Sequence, residues 1–356
     1  MTGSADVQRA VDALARALSQ PVLIEDARHQ PLWWSAQDEV DGTRIRTILH
    51  RGVPPAAAAL VVEMRLAAAA GPVRTPAVPE ADMLPRWCVP LRAGRALLGY
   101  LWVLDARGTV APADLPSLVA CAELAAATLA RDAAAAVQRD QLRSLLLARL
   151  RAGPDEAAAR ELTALEGLGP DAMVTVNAPR ARDGWDLDDV ILDGGMSVHV
   201  FPPDGRPGAG RAGAGRPATS GPALPLVSLR VAVQRAAVTR RALRAGARLP
   251  RPTWDALGSW HLIVAAPADL AVADVHPGAD TLARLPRPDL MATARAVLDR
   301  GGDVAATAAG LHIHRTTLYY RLDRIETLTG VNLRTGPDRD DLHMALRLAA
   351  YRQAGD

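Results

Sequence analysis

The chain has 356 residues, of which 49% are hydrophobic and 22% are charged, and its formal net charge is +2. This length allows two or three domains that each bury a core, and the small net charge indicates no particular partner. All 41 basic residues are arginines, so the chain has no lysine for a Schiff base, a P-loop or a kinase site.

The sequence also predicts where the protein works. Its first 18 residues contain charged side chains throughout and lack the apolar core of a signal peptide. The apolar runs are interrupted before the ~20 residues that a membrane-spanning helix needs. Cys88 and Cys121 form no CxxC pair and are too few for a metal cluster or a disulfide framework. We expect a cytoplasmic protein with no membrane partner, no metal and no other cofactor.

Residues 1–112 have the pattern of a small α/β domain. An amphipathic helix at 6–18 precedes two strand-like runs, "PVLIEDA" and "PLWWSA", and then two helical stretches. "RWCVPL", "RAGRA" and "LLGYLWVLDA" then predict a hairpin around a glycine-containing turn. This order of elements resembles a GAF domain and implies a sensor that binds a small-molecule effector.

Tryptophans are concentrated on the predicted strands of this domain. Trp33, Trp87 and Trp102 have two possible roles, core packing or the lining of a ligand pocket. Side chains of neighbouring strand residues point to opposite faces, so Trp33 and Trp34 cannot both line one pocket.

Residues 113–152 contain almost no helix breaker and predict a single long helix. Leu142, Leu145 or Leu146, and Arg149 or Leu150 recur at roughly the spacing of a helical seam. Two interpretations remain open: a helix packed on its own domain, or a connector that pairs with its twin in a dimer.

Residues 153–285 are weaker in pattern. The strand candidates are "AMVTVNAP", "DVILDGG", "MSVHVF" and "SWHLIVAAP", and residues 225–249 read as helical. The Pro/Gly tract at 202–225 predicts a flexible excursion. Gly208, Gly210 and Gly213 in this tract have GxGxxG spacing. Prolines replace the strand and helix that a nucleotide site needs, so we predict no such site.

Residues 286–356 form a predicted all-helical segment. Asp303 is a suitable N-cap for the short helix "VAATAAGL", which we expect to end at Gly310. A second helix is predicted from about 315 to 328, with Leu318, Leu322 and Ile325 on its buried face. A short helix, a tight turn and a longer helix with a cationic leading end are typical of a helix-turn-helix.

The opposite face of the second helix carries side chains suited to DNA. We expect Arg315, Thr317, Tyr320 and Arg321 to read base edges, because arginine can bond guanine in a bidentate way. We assign phosphate contacts to a second group, because hydroxyls, cations and helix N-termini bind phosphate oxygens. This group comprises His314, Thr316, Tyr319 and Arg324. His314 could equally be a neutral helix cap, and Tyr319 could be partly buried.

The stretch "GGDVAATAAGLHIHRTTLYYRLDRIETLTG" resembles the C-terminal helix-turn-helix of the PucR/CdaR family of bacterial transcription regulators, and more distantly the Fis type. "DRDDLHMALRLAAYR" is similar to the closing helix of that family. The matching residues are Asp303, Ala306, Ala309, Leu311, His314, Arg315, Thr317, Leu318, Tyr320, Arg321, Leu322, Arg324, Ile325, Glu326, Leu328, Thr329 and Gly330.

The resemblance implies a multidomain α+β regulator: a GAF-like sensor, a long connector helix, a degenerate GGDEF-like middle domain and the helix-turn-helix domain. It implies double-stranded DNA as a partner and, with one helix-turn-helix per chain, a homodimer or a higher even oligomer. The alternative is a ligand-dependent scaffold or anti-regulator whose helical tail binds protein. The sequence contains no HExxH, GxSxG or Walker motif, so we expect no enzyme and assign no catalytic residue.

Overall fold

The structure, a computed structural model, describes residues 2–36, 41–50, 53–178, 190–192, 196–203, 218–334 and 338–355. The contacts group the chain into two compact units, Met1–Gln141 and Leu142–Asp356. Both units contain helices and strands. At the C-terminal end of the second unit, only helices occur among the described residues. The predicted mixed α/β chain with a helical C-terminal segment is therefore confirmed.

The first unit contains a sheet with helices on both of its faces. Its elements are α1 Thr2–Leu18, β1 Val22–Asp26, β2 Pro31–Trp34, α2 Gly42–His50, α3 Pro55–Glu63, β3 Val73–Thr75, β4 Arg86–Ala93, β5 Ala96–Leu104 and the first part of α4 Leu115–Ala152. The predicted helices, strand pair and hairpin are present, whereas β3 was not predicted. A short 3₁₀ turn, Leu66–Ala68, follows α3.

The strands of this sheet follow the order β2-β1-β5-β4-β3, and all neighbouring pairs are antiparallel. One face packs against α1 and α4, with Ile24 and Leu101 in the buried cluster. The other face packs against α3, with Leu23 and Trp102 in a second cluster. The alternation of side chains along each strand therefore supplies two separate cores.

The long helix α4 contributes to both units. Leu118 and Ala125 belong to the core of the first unit, and Leu146 and Leu150 belong to a core of the second. Residues 131–141, between these ends, are exposed on every side of the helix. The single long helix predicted for 113–152 is thus observed.

This helix also bears on the expectation of no membrane segment. Among the described residues, one helix, Pro112–Ala152, is long and apolar enough to cross a membrane by length and composition. Helices in the cores of water-soluble proteins meet the same criterion, and both ends of this helix pack into folded cores. The helix is therefore weak evidence for a membrane span.

The second unit continues with a sheet and then with helices. Its further elements are α5 Glu156–Leu165, β6 Met173–Ala178, β7 Val190–Leu192, β8 Met196–Phe201, β9 Ala218–Thr219, β10 Leu224–Pro225, α6 Leu229–Arg244, α7 Trp260–Val264, α8 Val272–Val275, α9 Pro277–Arg284, α10 Pro288–Leu298, α11 Val304–Leu311, α12 Arg315–Thr329 and α13 Arg339–Gln353.

The sheet of this unit has the antiparallel order β10-β6-β8-β7, and β9 also pairs with β6. Val174 and Val176 of β6 pack with Leu229 of α6 and Leu162 of α5. Three of the predicted strands are present. Residues 204–217, most of the predicted flexible tract with its GxGxxG spacing, lie outside the described residues.

The predicted strand "SWHLIVAAP" is wrong, because the structure places α7 there. Trp260 and Ile263 are buried three residues apart and face the same cluster, whereas Leu262 is 66% exposed. A helix puts residues i and i+3 on one face, but a strand would turn them to opposite faces. The buried cluster includes Tyr351 of α13. Packing of Trp260 and Ile263 on this distant residue favours the helix over the strand.

Residues from both sides of the predicted boundary at 285/286 pack together within the second unit. The Arg241 guanidinium donates to the carbonyl oxygen of Tyr351 over 2.8 Å, and its Cζ lies 4.5 Å from the centroid of the Tyr351 ring. The helical C-terminal segment therefore shares a buried cluster with α6 and α7. The division into four domains at 112, 152 and 285 stays a prediction.

Candidate nucleic-acid interface

The first helix of the pair α11–α12 has an N-cap, and a tight turn separates it from the second. The Asp303 carboxylate accepts a hydrogen bond from the amide of Ala306 over 2.9 Å, as predicted for an N-cap. The helix continues through Leu311, and His312 ends it in the left-handed region with φ 53°. The predicted end at Gly310 is therefore wrong.

Gly310 has a packing role instead. A Cβ at this position would lie 2.3 Å from Nη2 of Arg300. The Arg300 side chain donates to the carbonyl oxygen of Ala296 over 3.0 Å. Without a Cβ, Gly310 thus leaves space for the Arg300 guanidinium.

Helix α12 is anchored through one apolar face. Leu318, Leu322 and Ile325 are buried in a cluster that also contains Leu290 and Leu346 of the neighbouring helices. The helix ends at Gly330, which caps it with φ 74°. The predicted span of 315–328 and the predicted buried face agree with this geometry.

The opposite face of α12 is open to solvent. Its exposed residues at the leading end are Arg315, Thr316, Thr317, Tyr319, Tyr320 and Arg324. Tyr320 is the most exposed large hydrophobic residue of this helix, at 66%. Neither the Arg315 nor the Arg324 guanidinium has a hydrogen bond or an ion pair with any residue that the structure describes. Both cations are available to an external anion.

His314 is the N-cap of α12. Its Nδ1 lies 2.8 Å from Oγ1 of Thr316 and accepts, over 3.4 Å, from the Thr316 amide. Of the two roles left open by the sequence, the cap is therefore observed. An Nδ1 that accepts leaves the proton on Nε2, which can still donate to a phosphate oxygen.

Arg321 is placed differently from the other predicted base-reading residues. Its side chain is only 22% exposed, Nη1 donates to Oγ1 of Thr293 over 3.2 Å, and Nη2 lies 3.5 Å from Oδ2 of Asp289. Arg287 also binds Asp289, through two bonds of 3.0 and 3.1 Å, and holds the pKa of that carboxyl below its ordinary value. Arg321 thus joins α12 to α10, and its predicted role in base reading stays a prediction.

One feature beside this face was not predicted. Tyr319 is 39% exposed, in line with the partial burial that the sequence allowed, but the Arg334 guanidinium also lies 6.0 Å from the centroid of its ring. Arg334 lies after the end of α12, outside the helical pattern from which the predicted contacts were taken. The structure thus adds a further cation at the edge of the exposed face.

A polar cluster joins the C-terminal end of α10 to α13. Oδ1 of Asp299 accepts from His343 Nε2 over 2.8 Å and from Arg347 Nη2 over 3.2 Å. All three side chains are at most 20% exposed. Burial raises the pKa of Asp299, but these two donors outweigh it and lower the pKa below its ordinary value.

Replacing Asp299 by alanine is expected to destabilise the second unit by about 1–3 kcal/mol at pH 7, because two part-buried donors lose their charged acceptor. A lowered pKa stabilises the folded protein above the unfolded pKa of about 3.9, and this contribution is lost as the pH falls through the folded value. Urea unfolding between pH 7 and pH 3 measures both effects. Asp323→Ala, on the exposed face of α12, is the matched control. An equal loss at both pH values would contradict the ionic role.

The three tryptophans proposed as a pocket lie on two faces of the first sheet. Trp33 and Trp87 pack on the α1/α4 side, and their indole nitrogens donate to Ser4 Oγ and to Asp105 Oδ2 over 3.0 and 3.1 Å. Trp102 lies in the cluster on the opposite side. These indoles therefore do not line one pocket.

Comparisons with known proteins bear on the helical end of the chain. Residues 290–348 match the family of PucR C-terminal helix-turn-helix domains. No curated protein matches the chain. Among solved structures, the chain is similar to a regulator of polyketide synthase expression from Bifidobacterium adolescentis, with 19% sequence identity and a TM-score of 0.24. That alignment covers 60% of this chain and 98% of the other.

The domain match confirms the resemblance over the C-terminal segment and supports a transcription regulator. It includes most of α10, all of α11 and α12, and part of α13. Both the anchored face and the exposed face of α12 thus fall inside the matched residues.

Proposed function

We propose that this protein is a sequence-specific DNA-binding transcription regulator whose helix α12 enters the major groove. The observation that carries the proposal is the exposed face of α12. It presents the guanidinium groups of Arg315 and Arg324, neither of them paired within the described part of the chain, on a helix held by three buried aliphatic residues. A rigid helix with free cations and hydroxyls suits a polyanion with readable base edges.

The roles on this face follow from position along α12. In this proposal Arg315, Thr317 and Tyr320 read bases near the leading end, where recognition helices contact base edges. Thr316, Tyr319 and Arg324 bind phosphates. His314 caps the helix and offers Nε2 to a phosphate.

We further propose that the regulator acts as a homodimer or a higher even oligomer. One helix-turn-helix per chain reads one half-site, and two half-sites lie about one helical turn, ~34 Å, apart. The exposed segment 131–141 of α4 is the expected contact between copies. Leu124, Val137 and Leu145, the exposed large hydrophobic residues of α4, lie within or beside it.

The remaining parts of the proposal concern the first 285 residues. The first unit acts as a GAF-like sensor that responds to a small-molecule effector. The sheet of the second unit is a degenerate GGDEF-like domain without catalytic activity. A transcription regulator reaches its DNA in the bacterial cytoplasm, so we place the protein there.

The test is a selection of random DNA duplexes on the full chain, followed by titration of the enriched duplex at several salt concentrations. We expect an inverted repeat with two chains bound, measured by sedimentation. The phosphate contacts of the two Arg324 side chains, one from each copy, should by themselves release two counterions. The affinity should therefore fall about 10-fold between 50 and 200 mM salt. Absence of DNA binding, or binding without salt dependence, would instead favour the scaffold or anti-regulator that binds protein. Salt-dependent binding without an enriched sequence would overturn sequence-specific recognition.

A further inference from the structure

A cavity of about 450 Å³ opens beside α3 in the first unit, on the side of the sheet opposite α1 and α4. This volume lies within the range of pockets that hold small organic ligands. Much of its wall is made of small aliphatic side chains. These are Ala58, Val61, Val62, Ala67 and Ala68.

The remaining lining is polar and consists of His29, Arg65 and Tyr100. The rings of His29 and Tyr100 are stacked, with centroids 5.6 Å apart and planes 3° from parallel. His29 Nδ1 lies 2.7 Å from Oε1 of Glu25, which also accepts from the indole nitrogen of Trp102 over 2.8 Å. The buried Glu25 carboxylate thus fixes the imidazole and leaves its Nε2 edge uncommitted among the described residues.

Tyr100 contributes a hydroxyl to the same cavity. The residue is only 3% exposed, and its hydroxyl has no hydrogen bond with any residue that the structure describes. The hydroxyl is not among the fully buried atoms without a partner, so it borders the open cavity and can donate to a ligand that enters it.

Arg65 adds a charge to the same cavity. It is exposed, lies in the left-handed region with φ 49°, and has no ion pair with another residue in the described part of the chain. The left-handed backbone ends α3 and sets the direction of the chain into the Leu66–Ala68 turn. Arg65 and Tyr100 offer donors, while the Glu25 carboxylate is already engaged by His29 and Trp102. His29 Nε2 donates as well when the imidazole is protonated, a state that the hydrogen bond to Glu25 favours by raising the pKa of His29.

We propose that this cavity binds a small organic anion, with its carboxylate between Arg65, His29 and Tyr100 and its apolar body against the alanine and valine wall. In the proposed regulator this cavity is the effector site, and that assignment rests on the proposed function. Ligand binding by the first unit does not require DNA binding, so the two proposals fail separately.

The experiment is calorimetric titration of the full chain with phenylacetate, 4-phenylbutyrate and octanoate, each beside its neutral amide. At least one carboxylate should bind at least about 10-fold more tightly than its amide, because a charged acceptor strengthens each hydrogen bond. Absence of binding by all three carboxylates, or equal binding of every acid and amide, would overturn the proposal.

Two variants locate the site. Tyr100→Phe removes only the hydroxyl and should weaken binding of the carboxylate about 10-fold, and Arg65→Gln should weaken it by a similar factor. Arg95→Gln removes another exposed arginine of the same unit, away from the cavity, and should leave binding unchanged. Parent-like binding by Tyr100→Phe would place the ligand elsewhere. Carboxylate binding in a chain that selects no DNA would refute the regulator and leave the site standing.

Discussion

Replacing Leu318 by alanine is expected to lower the free energy of unfolding of the second unit by about 3–4 kcal/mol. Leu318 is fully buried and packs in the cluster that holds α12 against its neighbours. The substitution removes the apolar contact and leaves a cavity that the surrounding helices fill only in part. Urea unfolding followed by circular dichroism at 222 nm measures the change, with an unchanged slope required for the comparison.

The matched control for Leu318 is Leu262→Ala in α7 of the same unit. Leu262 is 66% exposed, so the same change of side chain should cost less than about 0.5 kcal/mol. DNA binding should be lost with Leu318→Ala and kept with Leu262→Ala, because α12 presents its contacts only while it is anchored. Equal stability of the two variants would mean that Leu318 does not anchor α12.

Helix α12 could be predicted from the sequence because its signals are local. Leu318, Leu322 and Ile325 follow the spacing of a single buried helical face, and Gly330 marks the end of the helix. The hairpin of β4 and β5 was predictable for the same reason, since its turn separates two apolar runs directly. In both cases the determining residues lie within a single helix or a single hairpin.

Long-range partners decided the positions where prediction failed. "SWHLIVAAP" is a short apolar run, which periodicity alone does not assign to strand or helix. Tyr351, some 90 residues later, completes the cluster that makes it helical. The bonds of Arg321 to Asp289 and Thr293 of a preceding helix were likewise not predicted, because these partners lie outside the local helical pattern.

The candidate ligand site required knowledge of the sheet as well. Across adjacent strands, Trp87 pairs with Val103 and Cys88 pairs with Trp102. Trp87 and Trp102 are thus one position out of register, so their indoles point to opposite faces of the sheet. His29 reaches the cavity from the turn between β1 and β2, with φ 62°. No local pattern of residue types predicts that this histidine will stack on Tyr100.

Replacing Arg315 by alanine is expected to weaken specific DNA binding by ~1–3 kcal/mol while leaving the free energy of unfolding unchanged. Its guanidinium is exposed and unpaired within the described part of the chain, so the folded protein loses no contact. Titration of an operator duplex and of a scrambled duplex should show that discrimination falls. Arg284→Ala, an exposed arginine of α9, is the control and should change neither quantity.

Arg321→Ala should differ from Arg315→Ala in what it changes. Arg321 binds Thr293 and Asp289, so its loss loosens the contact between α12 and α10. We expect a lower free energy of unfolding and weaker binding to operator and scrambled duplexes alike, because the helix is displaced rather than one base contact removed. If Arg321→Ala instead lowered discrimination at unchanged stability, the arginine would have to leave Asp289 on DNA and read a base. The pair of variants therefore separates a residue that reads DNA from one that positions the reading helix.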